Sequence, residues 1–203
     1  MNSDDTKLSK SLSWLLRHGA AKEGLTFDDG GFIDVDKILK LNQFRDYNES
    51  NILKIVAEND KKRFSVRYKN NGDRLQVRAN QGHTIPVEEE GLLTLLTDAN
   101  LPKVIYHGTY FSKLESIKTN GLMRMSRNHI HFVSKFPTES VTSGIRQNSE
   151  IVIAVDALQA WKDGYKFYVS ENEVVLSPGK EKGAIQAKYI TEVWQLNPLK
   201  KLE

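Results

Sequence analysis

The sequence predicts an α+β protein of two lobes, with helices and a β-hairpin in the N-terminal lobe and a mostly antiparallel sheet in the C-terminal lobe. Apolar residues recur at helical spacing in three early segments, and two short strand-like runs follow them. Beyond residue 102 the chain divides into many short strand-like runs. The connections between these runs are mostly too short for repeated parallel crossovers, which favours antiparallel pairing.

The first predicted helix spans residues 7–18, and Gly19 stands where a C-terminal cap is expected. Its apolar residues form one stripe, made of Leu8, Leu12, Leu15 and Leu16. Two further helices are predicted at residues 34–41 and 49–59, and Asp34 is a candidate N-cap of the first of these.

Two strands, residues 63–68 and 74–78, follow the helices and are separated by a polar turn. Three helices followed by a hairpin is the order of a winged-helix module, in which the hairpin is the wing. Residues 61–78 contain seven basic residues and one acidic residue. Such a local charge suits contact with a few phosphates, and a solvated surface is the alternative reading.

The stretch 86–102 begins and ends with proline and is predicted to hold one short helix, residues 89–96. The predicted organisation is therefore an N-terminal lobe at 1–88, a connection at 89–102 and a C-terminal lobe at 103–203. In the C-terminal lobe we predict strands at 103–106, 129–134, 151–155, 166–169, 174–176 and 189–196, with helices near 110–119 and 157–162.

Composition excludes several classes of protein. The 203 residues include no cysteine, which rules out disulfide scaffolds and thiolate sites. The five histidines lack zinc-site spacing, so no metal site is predicted. Neither a dinucleotide-binding glycine motif nor a P-loop is present. Since no apolar run approaches the ~20 residues of a membrane span, we expect a soluble, cytoplasmic protein that binds no membrane.

Several polar runs could carry chemistry. Arg17 and His18 at a helix end could hold a phosphate, although they could also only complement the helix dipole. Arg63 begins the first wing strand and could also carry chemistry. The alternative is that it is simply an exposed arginine of an edge strand. The run 78–84 packs amide, imidazole and hydroxyl groups around a glycine, as a ligand site or a polar turn would.

Two runs in the C-terminal lobe stand out. His107-Gly108-Thr109 ends a strand before a helix, which suits either a nucleotide-anchoring turn or a capped junction. Arg127, His129 and His131 alternate, so in a strand all three would lie on one face. Three such groups are costly in a core and useful for binding a polyphosphate.

Together these runs resemble the tRNA (RNA) 2′-phosphotransferase family. The matching pieces occur in the family order over residues 7–196: residues 8–10, 15–19, 62–64, 78–83, 106–109, 127–131, 170–172 and 175–177. The resemblance implies a winged-helix lobe joined to a lobe of the ADP-ribosyltransferase type, with the active site between them.

The resemblance also implies roles for single residues. The implied catalytic set is Arg17, His18, Arg63 and Arg127. NAD, consumed as a co-substrate, would be bound by His107, Gly108, Thr109, His129, His131 and Ser134. The second substrate would be an RNA with an internal 2′-phosphate, contacted by Lys10, Arg67, Arg78, Gln81 and His83. Neither a metal nor an obligate protein partner is implied.

In the family reaction the RNA 2′-phosphate attacks the nicotinamide ribose, and the resulting adduct resolves to 2′-hydroxyl RNA and ADP-ribose 1″,2″-cyclic phosphate. Two places depart from the family pattern: Glu173 stands where glycine is usual, and residues 183–187 lack an expected proline. Val174 or Val175 occupies the position where protein-modifying relatives keep a glutamate.

Two rival functions fit parts of the sequence. A protein or terminal-phosphate ADP-ribosyltransferase would share the NAD lobe and could use Glu171 or Glu173 as its acid. A winged-helix transcriptional regulator would need a base-reading helix, but the helix at 49–59 offers mainly Lys54 as a basic contact.

Overall fold

The computed structural model describes residues 3–69, 72–137 and 143–202. The chain forms two compact units, Met1–Leu92 and Leu93–Glu203. Each unit combines helices with sheet, and every strand pair among the described residues is antiparallel. The predicted α+β class with antiparallel sheet is therefore confirmed.

Among its described residues, the N-terminal unit has three α-helices and a three-stranded sheet. The helices are α1 (Ser3–Trp14), α2 (Val35–Leu39) and α3 (Glu49–Ala57), and the strands are β1 (Ile33–Asp34), β2 (Phe64–Lys69) and β3 (Arg74–Ala79) in the order β1-β3-β2. The predicted hairpin is the β2–β3 pair, whose turn includes residues 70 and 71 outside the described part. The predicted leucine stripe is buried in the core of this unit.

Gly19 does not cap a helix as predicted. The chain continues beyond α1 through a π-helical turn, Leu15–Gly19, and Ala20 takes the cap position. A β-carbon on Gly19 would lie 2.4 Å from the Trp14 ring. Glycine is therefore required here for the close approach of an aromatic side chain, and the π-turn carries Arg17 and His18.

The polar residues of the N-terminal unit join its sheet to its loops. Asp34 precedes α2, but its side chain makes no cap hydrogen bond and accepts one from Gln76 Nε2 at 2.7 Å. Asp28 accepts hydrogen bonds from Lys69 Nζ and from Gln76 Nε2, the latter at 3.0 Å. These bonds hold the pKa of Asp28 well below its usual value.

The C-terminal unit contains ten strands and two α-helices among its described residues. The strands are β4 (Leu93–Leu95), β5 (Val104–Thr109), β6 (Leu122–Met123), β7 (Ile130–Phe132), β8 (Ile151–Asp156), β9 (Tyr168–Ser170), β10 (Val175–Ser177), β11 (Ala184–Ile185), β12 (Ile190–Leu196) and β13 (Leu199–Lys201). The helices are α4 (Leu114–Asn120) and α5 (Ala157–Lys162).

Two four-stranded sheets, ordered β13-β12-β8-β5 and β4-β9-β10-β7, and the β6–β11 pair make up this unit's sheet structure. Residues from both larger sheets contribute to one core, including Ile105, Phe132, Ile153 and Val175. This packing positions the end of β5 and the segment before β7, which carry the candidate residues of this unit.

The predicted helix at residues 89–96 is wrong. Leu93–Leu95 form a strand that pairs with β9, and Leu96 N donates to Phe167 O at 2.8 Å. The leucine spacing fits a helix locally, but the β9 edge satisfies the backbone of this segment instead.

Within the described residues, no helix is long and apolar enough to cross a membrane. The same residues hold no group of three or more metal-ligating side chains.

Candidate functional site

Arg17 and His18 are fixed to one loop of the N-terminal unit. His18 Nδ1 lies 2.9 Å from Thr84 Oγ1, and Thr84 N donates to the Arg17 carbonyl at 3.0 Å. The Arg17 side chain lies against Gly82, where a β-carbon would be 3.4 Å from Arg17 Nε. The π-turn and residues 82–84 therefore hold both side chains in one half-buried place.

Arg63 lies directly before β2 and is held by a buried asparagine. Asn59 Oδ1 accepts hydrogen bonds from Arg63 N at 3.2 Å and from Arg63 Nη1 at 3.3 Å. Asn59 Nδ2 in turn lies 3.5 Å from Ser9 Oγ on α1. Burial lowers the pKa of Arg63, but a guanidinium stays charged at any physiological pH.

The loop at residues 80–84 contacts three residues of the implied catalytic set, Arg17, His18 and Arg63. At one end, Asn80 N donates to the Arg63 carbonyl at 2.9 Å. At the other end, Gly82 and Thr84 contact Arg17 and His18. A segment of five residues spans at most about 18 Å when fully extended. The structure thus brings Arg17, His18 and Arg63 to one short loop.

Two of the predicted RNA contacts are engaged within the N-terminal unit. Arg78 is buried, and its Nη1 donates to Gly30 O at 3.0 Å and to Gly91 O at 2.5 Å. Arg67 Nε donates to Gln76 Oε1 at 2.8 Å. Both guanidinium groups also lie over the Phe32 ring, 4.1 Å and 4.6 Å from its centre for Arg67 and Arg78. These contacts give both arginines a structural role.

The other predicted RNA contacts differ in exposure. Lys10 is exposed on α1, and Gln81 is half-buried. His83 is buried, with its ring edge-on to Phe27 at 6.3 Å between centres. Of these three side chains, Lys10 is the most open to solvent.

His107 is the central polar group of the C-terminal unit. Its Nδ1 lies 2.8 Å from the His131 carbonyl, so Nδ1 carries a proton and donates it. Burial lowers the pKa of His107, the His131 carbonyl opposes this, and the charges of Arg146 and Arg127 lower the pKa further. A neutral imidazole is the result at neutral pH, with Nε2 left as the acceptor.

Gly108 and Thr109 are packed against the segment before β8. A β-carbon on Gly108 would lie 2.1 Å from Ile145 Cγ1 and 2.8 Å from Ser149 Oγ. Thr109 is buried, and its carbonyl accepts from Glu150 N at 2.8 Å. The close neighbour that requires glycine at position 108 is therefore a protein side chain.

Arg127, His129 and His131 do not share one strand face as predicted. Only His131 lies in β7, where it is buried, and the other two lie in the bend before that strand. The Arg127 carbonyl accepts from Arg124 Nη1 at 2.7 Å, a side-chain bond in place of a sheet ladder. The strand begins three residues after Arg127, at Ile130.

The remaining predicted NAD-binding residues lie at the ends of the same segment. The His129 ring is edge-on to Tyr168, with 5.9 Å between centres. Ser134 is exposed two residues beyond β7. His129 therefore lies directly before β7, and Ser134 lies shortly after it.

Arg146 was missed by the sequence reasoning. Its guanidinium lies over the Tyr110 ring at 5.9 Å from the centre, and its Nη1 is 3.4 Å from the Tyr110 hydroxyl. Its charge lowers the pKa values of both Arg127 and His107, which places three basic groups in one electrostatic cluster. A single arginine outside any motif carries no signal in the sequence, so only the fold reveals it.

The turn at residues 170–174 explains one departure from the family pattern. Glu173 adopts a left-handed backbone with φ +62°, which a glycine takes freely. Ser170 Oγ donates to Asn172 Oδ1 at 2.8 Å and accepts from Val174 N at 3.2 Å, which closes the turn. Val174 and Val175, the two positions predicted to replace a glutamate, are both buried.

Residues 3–179 of the chain match the family described as "RNA 2'-phosphotransferase, Tpt1 / KptA family". The chain is similar to "tRNA 2'-phosphotransferase 1" of Danio rerio, with 41% identity over 199 residues that cover 97% of this chain and 88% of the relative. The human protein of the same name is 38% identical over 97% of this chain and 78% of its own length.

A bacterial relative shows that the similarity extends beyond animals. The "Probable RNA 2'-phosphotransferase" of Rhizobium johnstonii is 33% identical over 174 residues, 85% of this chain and 89% of the relative. These matches cover both compact units, including the loop at residues 80–84 and the His107 segment. The chain therefore belongs to the RNA 2′-phosphotransferase, Tpt1 / KptA family.

Proposed function

We propose that this protein is an NAD-dependent RNA 2′-phosphotransferase that removes an internal 2′-phosphate from RNA, of the kind a tRNA splice junction carries. The names of the relatives support 2′-phosphate transfer, and family membership extends that support to this chain. The observation that carries the proposal is the attachment of Arg17, His18 and Arg63 to one short loop. Two guanidinium groups and an imidazole are suited to bind a dianionic phosphate.

The N-terminal unit binds the phosphate in this proposal. Arg17 and Arg63 provide permanent charges, and His18 provides a ring nitrogen for a third hydrogen bond. Thr84 fixes the other nitrogen of His18, which orients the ring. The reaction needs the phosphate oxygen within about 3–3.5 Å of the anomeric carbon of NAD, and we assign the binding of that phosphate to these three side chains.

The C-terminal unit binds NAD in this proposal. His107 offers a neutral Nε2, and Arg127 and Arg146 offer positive charge for the pyrophosphate or for the reacting phosphate. The helices and wing of the N-terminal unit support a winged-helix lobe, and we assign the ADP-ribosyltransferase type to the C-terminal unit. Buried valines at positions 174 and 175 disfavour the protein-modifying alternative, which needs an acid there.

The reaction proceeds in two steps. An oxygen of the 2′-phosphate forms a bond to the anomeric carbon of the nicotinamide ribose, and the carbon–nitrogen bond breaks with its electron pair leaving on neutral nicotinamide. The ribose 2″-hydroxyl then attacks phosphorus, the bond from phosphorus to the RNA 2′-oxygen breaks, and that oxygen takes up a proton. The products are 2′-hydroxyl RNA and ADP-ribose 1″,2″-cyclic phosphate.

Arg127 has its main role in the second step of this scheme. Negative charge spreads over the non-bridging phosphate oxygens during transesterification, and a preorganised guanidinium stabilises it by about 3–4 kcal/mol, by analogy with oxyanion donors. Partial burial of Arg127 strengthens this effect, because water screens the charge less.

The test uses the protein with NAD labelled in its adenosine half and a short RNA that bears one internal 2′-phosphate. We expect loss of the 2′-phosphate and label in a small cyclic product, and neither without NAD. Label that stays on RNA or protein would support an ADP-ribosyltransferase instead. Loss of the phosphate without NAD would refute the proposed co-substrate.

A further inference from the structure

The C-terminal unit contains a polar cavity that the proposed reaction does not use. Its volume is about 470 Å³, and its lining includes Lys180, Lys182, Lys188, Tyr165 and Tyr189. These residues come from the segments that follow α5 and that surround β11. Three lysines on one cavity attract negatively charged ligands.

Two of the lysines are held in place by aromatic rings. Lys180 Nζ lies 4.9 Å from the centre of the Tyr165 ring, and Lys188 Nζ lies 4.9 Å from the centre of the Tyr189 ring. The two buried rings pack edge to face with 5.2 Å between centres. A cation over an aromatic ring keeps its full charge, so this packing orders the ammonium groups without neutralising them.

Asp163 organises the same cavity but balances only part of its charge. Its carboxylate accepts from the Tyr189 hydroxyl at 2.6 Å and lies 3.5 Å from Lys188 Nζ. Its backbone carbonyl accepts from Lys180 Nζ. Among the described residues of the lining, Glu181 is the other acid, so the three lysines exceed these acids by one.

Arg124 connects the cavity rim to Arg127. Arg124 N donates to Gly183 O at 2.9 Å, and its Nη1 donates to the Arg127 carbonyl at 2.7 Å. A β-carbon on Gly183 would lie 2.4 Å from Arg124 Nε, so the arginine side chain lies directly on this turn. Basic residues therefore continue from Arg127 through Arg124 to the cavity.

An exposed apolar side chain flanks this basic row. Met125 is 77% exposed and lies in a left-handed turn with φ +56°. A thioether packs well against flat aromatic groups, such as nucleobases. Proteins bind single-stranded nucleic acids with a basic groove and side chains against which the bases pack, and Met125 could provide such a contact here.

We propose that this cavity and the Arg124 row bind the phosphodiester backbone of the RNA substrate, on the strand that flanks the 2′-phosphate. The proposal rests on the proposed function, in which Arg127 contacts the reacting phosphate. Successive nucleotides carry one negative charge each, so a strand that leaves Arg127 would meet Arg124 and then the lysines. RNA longer than a few nucleotides would gain affinity from these contacts, and a trinucleotide would not.

Lys182 offers the sharpest test. It is exposed and has φ +55°, a conformation that glycine adopts without strain. Lys182→Gly should therefore fold at least as stably as the natural protein while lacking one cavity charge. Lys182→Glu and Lys188→Glu reverse charges at the cavity, and Lys200→Glu on β13 is a control with the same change in net charge.

The measurements are the Kd for a stem-loop RNA with one internal 2′-phosphate at several salt concentrations, and kcat/KM for that RNA and for a trinucleotide with the same 2′-phosphate. We expect the charge reversals to weaken stem-loop binding about tenfold. Each lost phosphate contact should also reduce the slope of log binding constant against log salt concentration by about 0.7. Lys182→Gly should weaken binding less. Trinucleotide turnover, the KM for NAD and the Lys200→Glu control should not change.

Unchanged stem-loop binding in the cavity variants would overturn the proposal, as would an equal loss for the trinucleotide. A failure of the docking site can be distinguished from a failure of the proposed function. A protein that removes the 2′-phosphate normally but ignores the cavity substitutions would refute the docking site alone. A protein that binds stem-loop RNA through the lysines but removes no 2′-phosphate would refute the proposed reaction alone.

Discussion

Asn59 provides the most direct test of how the N-terminal unit positions Arg63. This asparagine is 4% exposed, accepts from both Arg63 N and Arg63 Nη1, and contacts Ser9. We predict that Asn59→Ala destabilises the protein and also impairs RNA turnover, because the guanidinium loses the acceptor that fixes its direction. Asn59 itself lies outside the implied catalytic set and acts only through Arg63.

The magnitude follows from the hydrogen bonds that are lost. The backbone bond contributes about 1 kcal/mol and the bond to the charged guanidinium about 1.5 kcal/mol, since the 3.3 Å distance is long and Arg63 is only half-buried. The contact with Ser9 is longer and adds little. Asn59→Ala should therefore lower the free energy of unfolding by about 2–3 kcal/mol.

A double-mutant cycle with Arg63→Ala isolates the side-chain bond, because Arg63→Ala keeps the backbone donor. Urea unfolding of the four proteins should give a coupling energy of about 1–1.5 kcal/mol. In kinetics, Asn59→Ala should lower kcat/KM for the 2′-phosphorylated RNA about 10- to 100-fold and leave the KM for NAD unchanged.

Two further variants control this experiment. Asn59→Asp keeps the acceptor but pairs Arg63 with a carboxylate, so we expect nearly normal stability and weak RNA binding. Asn51→Ala removes one of the two reciprocal bonds of the capping box at the start of α3, in which Asn48 and Asn51 bond each other's backbone, and should cost up to about 1 kcal/mol without a kinetic effect. The positioning role would be refuted if Asn59→Ala and Arg63→Ala had additive effects on the free energy of unfolding. It would also be refuted if Asn59→Ala changed the use of the RNA and of NAD equally.

Four other predictions concern residues elsewhere in the chain. Gly108→Ala forces a methyl group into Ile145 and should destabilise the protein by about 1–3 kcal/mol, measurable by urea unfolding, with a higher KM for NAD. The pKa of Asp28 is lowered in the folded protein. Its contribution to the free energy of unfolding is therefore complete above the unfolded pKa of about 4 and is lost as the pH falls below that value. Asp28→Asn should therefore flatten the acid limb of a plot of stability against pH, and an unchanged limb would contradict the role of this carboxylate. Glu173→Gly relieves a left-handed backbone and should raise the free energy of unfolding by about 0.5–1 kcal/mol, whereas a loss would show that the side chain itself contributes. Arg127→Ala should let ADP-ribosylated RNA accumulate in gels with labelled NAD, and a variant that forms no adduct would place this arginine in the first step instead.

The sequence was most informative where local pattern decides the structure. The leucine stripe of α1, the β2–β3 hairpin and the bounds of α5 could all be predicted, because spacing and turn chemistry act within a few residues. The segment at residues 89–96 shows where this reasoning fails. Its leucines are compatible with a helix or a strand, and pairing with β9, more than seventy residues away, selects the strand.

The same distinction between local and long-range contacts applies to the candidate site. Motifs marked Arg17, His18 and Arg63 in the sequence, but their support comes from Thr84 and Asn59, whose residue types would fit any polar loop. Thr84 reaches His18 across 66 positions of the chain. Arg78 differs from these residues. Its charge and position predicted a phosphate contact, but its guanidinium donates hydrogen bonds to two backbone carbonyls. A basic residue in the β2–β3 hairpin can therefore bind a phosphate only where the fold leaves its donors without protein acceptors, which sequence spacing does not encode.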